Sequence, residues 1–299
     1  MSNFIFILGK INKRLLFPLI YIIIHIPMHL YWEKYGDYGY NQAEFYLEYF
    51  GCSIGEILTV LVRVFIYRGD SKIIEKDSNT QNNNYFKNYG IMFLFEILSD
   101  ICALLSSLSE YETESGESSR ELYINDTIEI ILLSIITYYI LKYKYYIHHF
   151  ISIILIAICG IIMDILLDNF NSTDILTVGN SILYILADIF LYSWFKYLIA
   201  FKYYYPMDVL FISGIMNFII HSVSFSIVLL IQHLKDDNLL LSQFSEFYEE
   251  LGIWPMLGRF FFGMVFVGFL VGIIEFLILD KLTPNFVIIS YAMGKIPSS

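Results

Sequence analysis

Apolar residues in this chain run in long blocks separated by short polar segments. Eight blocks approach the roughly 20 residues that a helix needs to cross a bilayer, and they lie at 15–32, 50–67, 89–109, 127–142, 147–168, 174–198, 207–233 and 256–279. A ninth apolar block begins at Thr283. The blocks do not alternate polar with apolar residues, so they predict helices rather than barrel strands. The pattern predicts an all-α, polytopic transmembrane bundle of eight to nine spans, with polar loops at 68–88 and 109–125.

The composition favours the same class of protein. Hydrophobic residues make up 57% of the chain, charged residues 16%, and the mean hydropathy is +0.62. Soluble domains contain about 25% charged residues. A water-soluble chain of 299 residues has no way to bury this much apolar surface, so we expect lipid to cover much of it. The expected partners are therefore the lipid bilayer and not nucleic acid.

The basic residues predict which end of each block faces the cytosol. If the first block runs outward, 13 of the 18 Lys and Arg residues fall on one side of the membrane: Lys10, Lys13, Arg14, Arg63, Arg68, Lys72, Lys76, Lys87, Lys142, Lys144, Lys196, Lys202 and Lys281. The positive-inside rule assigns that side to the cytosol. The amino terminus is therefore predicted to be cytosolic, with odd-numbered spans running outward and even-numbered spans inward.

Seven acidic residues lie inside the apolar blocks, where a charge costs about 2.5–3.5 kcal/mol and must face protein or water. Glu96 and Asp100 share a helix face because they are four residues apart, and Glu56 shares a face of its own helix with Arg63. Two interpretations stay open for Glu56, Asp100 and Asp188, which are hydrogen bonds between helices or the lining of a polar pathway for solute or protons. The seven acids are Glu56, Glu96, Asp100, Glu129, Asp164, Asp188 and Glu275.

Other residues in the blocks carry weaker signals. The neighbours of Glu275 are almost entirely apolar, which makes a pathway role less favoured there. His221 lies deep in the seventh block, where anchoring and proton relay are both open. Gly55 in the second block, with Gly268 and Gly272 in the eighth, predicts close approach of helices, because small residues let two backbones come together.

An ordered set of short patterns follows these blocks along the chain. Gly55-Glu56 lies in the second block, and Glu96-Ile97-Leu98-Ser99-Asp100 lies in the third. A Leu-Lys-x-Lys turn at 141–144 joins the fourth block to the fifth, and 179–188 and Tyr205-Pro206-Met207-Asp208 continue the order. The set resembles drug/metabolite transporters of the nucleotide-sugar-transporter-like type, and most closely the F-type branch of solute carrier family 35. The resemblance covers about 50–220.

The resemblance implies ten helices in two inverted five-helix repeats, with both termini cytosolic. Residues 1–168 would form the first repeat, and residues 169–299 would form the second, with spans six to eight and part of nine. Relative to the family, this chain stops within the ninth helix and lacks the tenth, and Glu275 stands where a neutral polar residue is usual. The implied location is an internal membrane, such as the Golgi, the endoplasmic reticulum or a lysosome-like organelle. The implied solute is a nucleotide sugar or another organic metabolite.

The leading functional hypothesis is a transporter that moves a small organic metabolite by alternating access. Glu56, Arg63, Glu96, Asp100 and Asp188 are the candidate residues of its substrate or ion pathway. These acids suit a cationic or proton-coupled solute better than an anion, so the solute stays open. The alternative is a non-transporting membrane scaffold or complex subunit, and a homodimer is left open. No catalytic motif, metal-ligand spacing or cofactor loop occurs in the sequence, so we expect neither an enzyme nor a cofactor.

Overall fold

The computed structural model describes residues 17–24, 42–66, 78–112, 123–142, 144–166, 175–234, 239–251 and 257–294. Within these ranges every regular element is a helix, which confirms the all-α class. The first helix, α1, is described at 17–24. The others are α2 (Gln42–Ile66), α3 (Ser78–Glu112), α4 (Tyr123–Tyr139), α5 (Ile147–Leu166), α6 (Ile175–Phe201), α7 (Pro206–Leu234), α8 (Leu239–Leu251), a π-helical turn (Arg259–Val265), α9 (Phe266–Lys281) and α10 (Asn285–Gly294).

The apolar blocks correspond to these helices in chain order. The second to seventh blocks overlap α2 to α7, the eighth overlaps the π-helical turn and α9, and the ninth overlaps α10. Within the described part of the chain, two helices are long and apolar enough to cross a membrane by length and composition, namely Ile182–Phe201 within α6 and Pro206–Leu234, which is α7. Thr127–Tyr139 and Phe150–Cys159 are apolar but shorter. The number of spans therefore stays a prediction.

Both predicted loops overlap helices, because α3 ends at Glu112 and α4 begins at Tyr123, within the segment 109–125. The polar segment 68–88 was expected to lack regular structure, but α3 begins at Ser78. Aromatic packing holds this end of α3, because the Tyr85 and Tyr204 rings stack at 4.8 Å. The Asn88 side chain donates a hydrogen bond to the Tyr204 hydroxyl at 3.1 Å, and the Trp194 indole donates to the Asn88 carbonyl at 3.0 Å. Tertiary contacts from α6 and the α6–α7 turn thus override the weak helix propensity of the polar segment.

An additional helix lies between the seventh and eighth blocks. In α8, Leu240 and Phe244 are four residues apart and share one face. That face packs against Tyr46 of α2 and Phe225 of α7. A helix this short gains most of its stability from such packing rather than from its own propensity, which explains why no long apolar block marks it.

The helices of 1–168 and 169–299 pack against one another throughout the bundle. α2 contacts α7, α9 and the π-helical turn, α3 contacts α6 and α7, and α4 contacts α6 and α10. The main core is built from residues of α1, α3, α6, α7, α9 and α10. The division into two repeats stays a prediction, but the two proposed halves are interlocked rather than separate.

Glycines allow α2 to approach its neighbours at backbone distance, as the sequence predicts. A methyl group on Gly55 would overlap the Val265 carbonyl and lie 2.5 Å from the Phe269 nitrogen. One on Gly268 would lie 2.7 Å from the Cys52 Cα. One on Gly214 of α7 would lie 2.7 Å from the Glu56 Cβ. Since backbone atoms cannot swing aside, any larger residue there must push the helices apart.

We predict that Gly55→Ala lowers the free energy of unfolding by about 1–3 kcal/mol or more, as overpacking does. Gly90→Ala in α3 is the matched control, because a methyl group at Gly90 meets nothing within 4 Å and alanine is the better helix former. Thermal unfolding of the purified protein in detergent measures both variants. Equal melting temperatures for the two would contradict the close approach of α2 to α9.

Candidate functional site

Five carboxyl groups from four helices line one cavity. Glu56 comes from α2, Glu96 and Asp100 from α3, Asp188 from α6 and Glu275 from α9. The cavity has a volume of about 160 Å³, which is below the roughly 300–1,000 Å³ typical of sites for drug-sized ligands. Its other lining residues are Tyr49, Ser99, Tyr184, Leu191, Tyr192, Phe195, Ser213, Asn217, His221 and Phe276. Among the described residues that line it, none is Lys or Arg.

Helix α7 presents a row of polar side chains to these carboxyl groups. Ser213, Asn217 and His221 are spaced by four residues, so they lie on one face of α7. The Ser213 hydroxyl donates a hydrogen bond to Glu96 Oε1 at 2.5 Å. The Asn217 amide lies 3.5 Å from Glu56 Oε2 as donor, at the long end of hydrogen-bond distance. Each of these α7 residues therefore offers a polar group to a carboxyl from α2 or α3.

His221 occupies the last position of this row. Its Nε2 atom lies 3.7 Å from Asp100 Oδ1, and its ring packs on the Tyr49 ring with centroids 4.7 Å apart. Only 2% of His221 and 8% of Asp100 is exposed. This depth makes the pair a candidate for proton or cation chemistry, because a buried imidazole and a buried carboxyl need each other or a ligand for compensation.

Glu275 forms a hydrogen bond with a residue of α1, near the amino terminus. The Tyr21 hydroxyl of α1 donates a hydrogen bond to Glu275 Oε1 at 2.6 Å. Tyr21 is itself almost completely buried in the main core. Burial of a carboxyl group is tolerated when such a donor faces it. Tyr21 of α1 therefore supplies the hydrogen-bond donor that the apolar sequence neighbours of Glu275 cannot provide.

Two buried acceptor atoms of the cavity residues have no hydrogen-bond partner among the described residues. They are Asp100 Oδ2 and Asn217 Oδ1. Such atoms are uncommon in folded proteins, and each calls for an explanation. Both residues line the cavity, so a group inside it is in a position to donate to them.

The predicted pathway residues divide into two sets. Glu56, Glu96, Asp100 and Asp188 come together in the cavity, and their role in transport stays a prediction. Arg63 belongs to α2, but its side chain lies outside the described part of the structure. The sequence therefore identified four carboxyl groups that share one site.

Lys196 of α6 is a cation inside the bundle. It is buried, and its ammonium donates to the backbone carbonyl of Leu279 and to that of Asp280 at 3.4 Å. These carbonyls belong to the last turn of α9, where a cation is favourable because the helix dipole is negative. Lys196 thus caps α9 and is not among the residues that line the cavity.

Sequence reasoning missed Ser213, Asn217 and Tyr21, and it gave Glu275 too little weight. A signal for the first two does exist, because Ser213, Asn217 and His221 form a polar stripe at helical spacing in the sequence of α7. No comparable signal marks Tyr21, because it is 254 positions from Glu275 and the chain contains 25 tyrosines.

The described residues contain no group of three His, Cys, Asp or Glu side chains placed to hold a metal ion. Comparisons of the chain with protein-family models, with curated proteins and with solved structures gave no match.

We predict that Ser213→Ala lowers the free energy of unfolding by about 1–3 kcal/mol, because the Glu96 carboxyl loses its donor while staying buried. Ser222→Ala is the control on the same helix, since that hydroxyl only returns a bond to the Phe218 carbonyl, and a change within about 0.5 kcal/mol is expected. Chemical unfolding in detergent measures both. A Ser213→Ala variant as stable as the control would show that the hydroxyl does not support Glu96.

Proposed function

We propose that this chain is a multi-pass membrane protein in which most of α2 to α9 cross the bilayer. Helix α5 supports this proposal, because it exposes apolar side chains on much of its length: Ile147, Phe150, Ile151, Ile154, Leu155, Ile158, Ile161 and Ile162. In the most apolar stretch of α7, only 11% of the residues are buried inside the bundle. Exposed apolar surface on this scale marks a contact with lipid or with another protein, and the composition favours lipid.

A native cysteine on α5 tests the membrane setting without mutation. Cys159 is exposed on the apolar surface of α5, whereas Cys102 is buried. We predict that a water-soluble maleimide leaves Cys159 unlabelled in permeabilised membranes, because lipid keeps both reagent and thiolate away. The same reagent should label it after denaturation in SDS, as measured by mass spectrometry. Rapid labelling of Cys159 without SDS would contradict a lipid-facing α5.

The transporter function rests above all on the acidic cavity between α2, α3, α6, α7 and α9. Intramembrane carboxyl groups are costly, and they typically mark substrate, ion or proton pathways. A polar site near the middle of the bundle, lined by helices from both proposed repeats, is what alternating access requires. We therefore propose that the chain moves a small metabolite across an internal membrane through this cavity.

The helix contacts support the two-repeat arrangement that the resemblance implies. If each block corresponds to the block five places later, α2 corresponds to α7 and α3 corresponds to α9. The contact of α2 with α9 then has its counterpart in that of α7 with α3, and both occur. The contact of α3 with α6 has its counterpart in that of α9 with α1, which the Glu275–Tyr21 hydrogen bond provides.

The charge of the cavity argues against the nucleotide-sugar solute that the resemblance implies. Phosphate groups need Arg, Lys or backbone amides as partners, but the described lining has five carboxyl groups and no Lys or Arg. The nearest candidate, Lys196, is engaged by carbonyls of α9. A cationic or proton-coupled solute therefore fits the cavity better, and it is the solute class that we propose.

Proton flux in proteoliposomes tests the proposal. With a pH gradient and a panel of small amines, amino acids and nucleotide sugars, we expect one class of solute to drive flux that a pH-sensitive dye reports. The Glu56→Gln, Asp100→Asn double variant should lower that flux about tenfold or more, because both carboxyl groups lie in the pathway. Glu249→Gln is the control, since Glu249 is exposed on α8.

Two results would contradict transport. Flux through the double variant equal to that of the wild type would remove both acids from the mechanism. Absence of flux with every solute, together with a stoichiometric partner that co-purifies from native membranes, would favour the alternative of a membrane scaffold or complex subunit.

A further inference from the structure

The two unsatisfied acceptors of the cavity differ from its other polar atoms. Glu96 and Glu275 each receive a short hydrogen bond from a protein hydroxyl, and Glu56 faces the Asn217 amide. Asp100 Oδ2 and Asn217 Oδ1 receive none from the described residues. The protein thus supplies donors for part of the acidic lining and leaves two acceptors for another group.

Both acceptors belong to residues that line the same cavity. Asn217 and His221 are four residues apart on α7, a rise of about 6 Å along the helix axis. His221 lies against Asp100 through Oδ1, which leaves Oδ2 as the remaining oxygen of that carboxyl. A single group with several N–H donors can therefore reach both acceptors from inside the cavity.

We propose that the cavity recognises its ligand through a primary ammonium group, which donates to Asp100 Oδ2 and Asn217 Oδ1. This inference rests on the proposed transport function and names the chemical class of the solute. An ammonium carries three N–H donors and no acceptor, and its charge compensates the carboxyl group that lacks a donor. A quaternary ammonium has the same charge but cannot donate, so it would leave both acceptors unsatisfied.

The walls and the size of the cavity suit this class of ligand. Tyr49, Tyr184, Tyr192, Phe195 and Phe276 contribute aromatic surface around the carboxyl groups. Aromatic faces attract cations and also accept short alkyl groups. A volume of about 160 Å³ accommodates an ammonium with a short substituent rather than a nucleotide, and no three described side chains are placed to coordinate a metal ion.

Binding of two matched cations to the purified protein in detergent tests this inference. Ethylammonium and tetramethylammonium chloride are compared at equal ionic strength by isothermal titration calorimetry and by thermal shift. We expect ethylammonium to bind about tenfold or more tightly than tetramethylammonium, because only the former supplies the two hydrogen bonds. Equal affinities, or tighter binding of tetramethylammonium, would overturn hydrogen-bond recognition in favour of a purely aromatic site.

Variants assign the contact to Asp100. Asp100→Asn keeps the shape of the side chain but removes its charge, and it should lower the affinity for ethylammonium about tenfold or more. Asp280→Asn is the matched control, because Asp280 pairs with Lys281 at 2.5 Å outside the cavity. Size-exclusion chromatography checks that both variants fold. If Asp100→Asn does not fold, the ratio of the affinities of the wild-type protein for ethylammonium and tetramethylammonium still tests recognition of a primary ammonium. An unchanged affinity in a folded Asp100→Asn variant would overturn the assignment.

The outcomes separate this inference from the transport proposal. Ethylammonium binding without solute flux in proteoliposomes would support the ammonium site and contradict transport. Flux of another solute class without ethylammonium binding would support transport and contradict the ammonium site. Binding of inorganic phosphate in place of either cation would overturn the assignment of a cationic ligand.

Discussion

Glu56 lines a small cavity with four other carboxyl groups, and the helix that carries it, α2, approaches α7 and α9 at backbone distance. Gly55 lies against the backbone at Val265 and Phe269, and Gly268 lies against that of Cys52. On the other side of α2, Gly214 leaves room for the side chain of Glu56. Any larger residue at these crossings would move Glu56 away from Asn217. The position of Glu56 in the cavity therefore depends on the close packing of α2.

The close packing also raises the cost of leaving a carboxyl group without a partner. Buried polar groups in an apolar bundle must find donors within the protein, because neither lipid nor the core provides them. Ser213 and Tyr21 meet this need for Glu96 and Glu275. Asp100 has the more distant His221 as its neighbour, and its Oδ2 atom has no hydrogen-bond partner among the described residues.

Features that depend on a single helix could be predicted from local patterns in the sequence. The apolar blocks anticipated the order of α2 to α7, the glycines anticipated the close crossings, and the four chosen acids meet in one cavity. Features that depend on contacts between residues far apart in the sequence could not be predicted. Tyr21 is far from Glu275 in the sequence but bonds to it, and the polar first part of α3 leads into residues that Tyr204 and Trp194 contact at Asn88. The apolar face of α8 is likewise defined by partners on α2 and α7.

The resemblance implies a nucleotide sugar, whereas the cavity favours a cation. The two differ because the resemblance concerns the order of the helices, and the cavity concerns the side chains that would contact a solute. The ordered helix patterns concern packing and topology, which many chemistries can share. The solute is selected by the few side chains that face the cavity, and here those side chains are carboxyls, aromatic rings and one imidazole. Lys196, a cation that could have matched a phosphate, instead binds the carbonyl end of α9. The lining residues therefore carry more weight than the helix pattern in the choice of ligand.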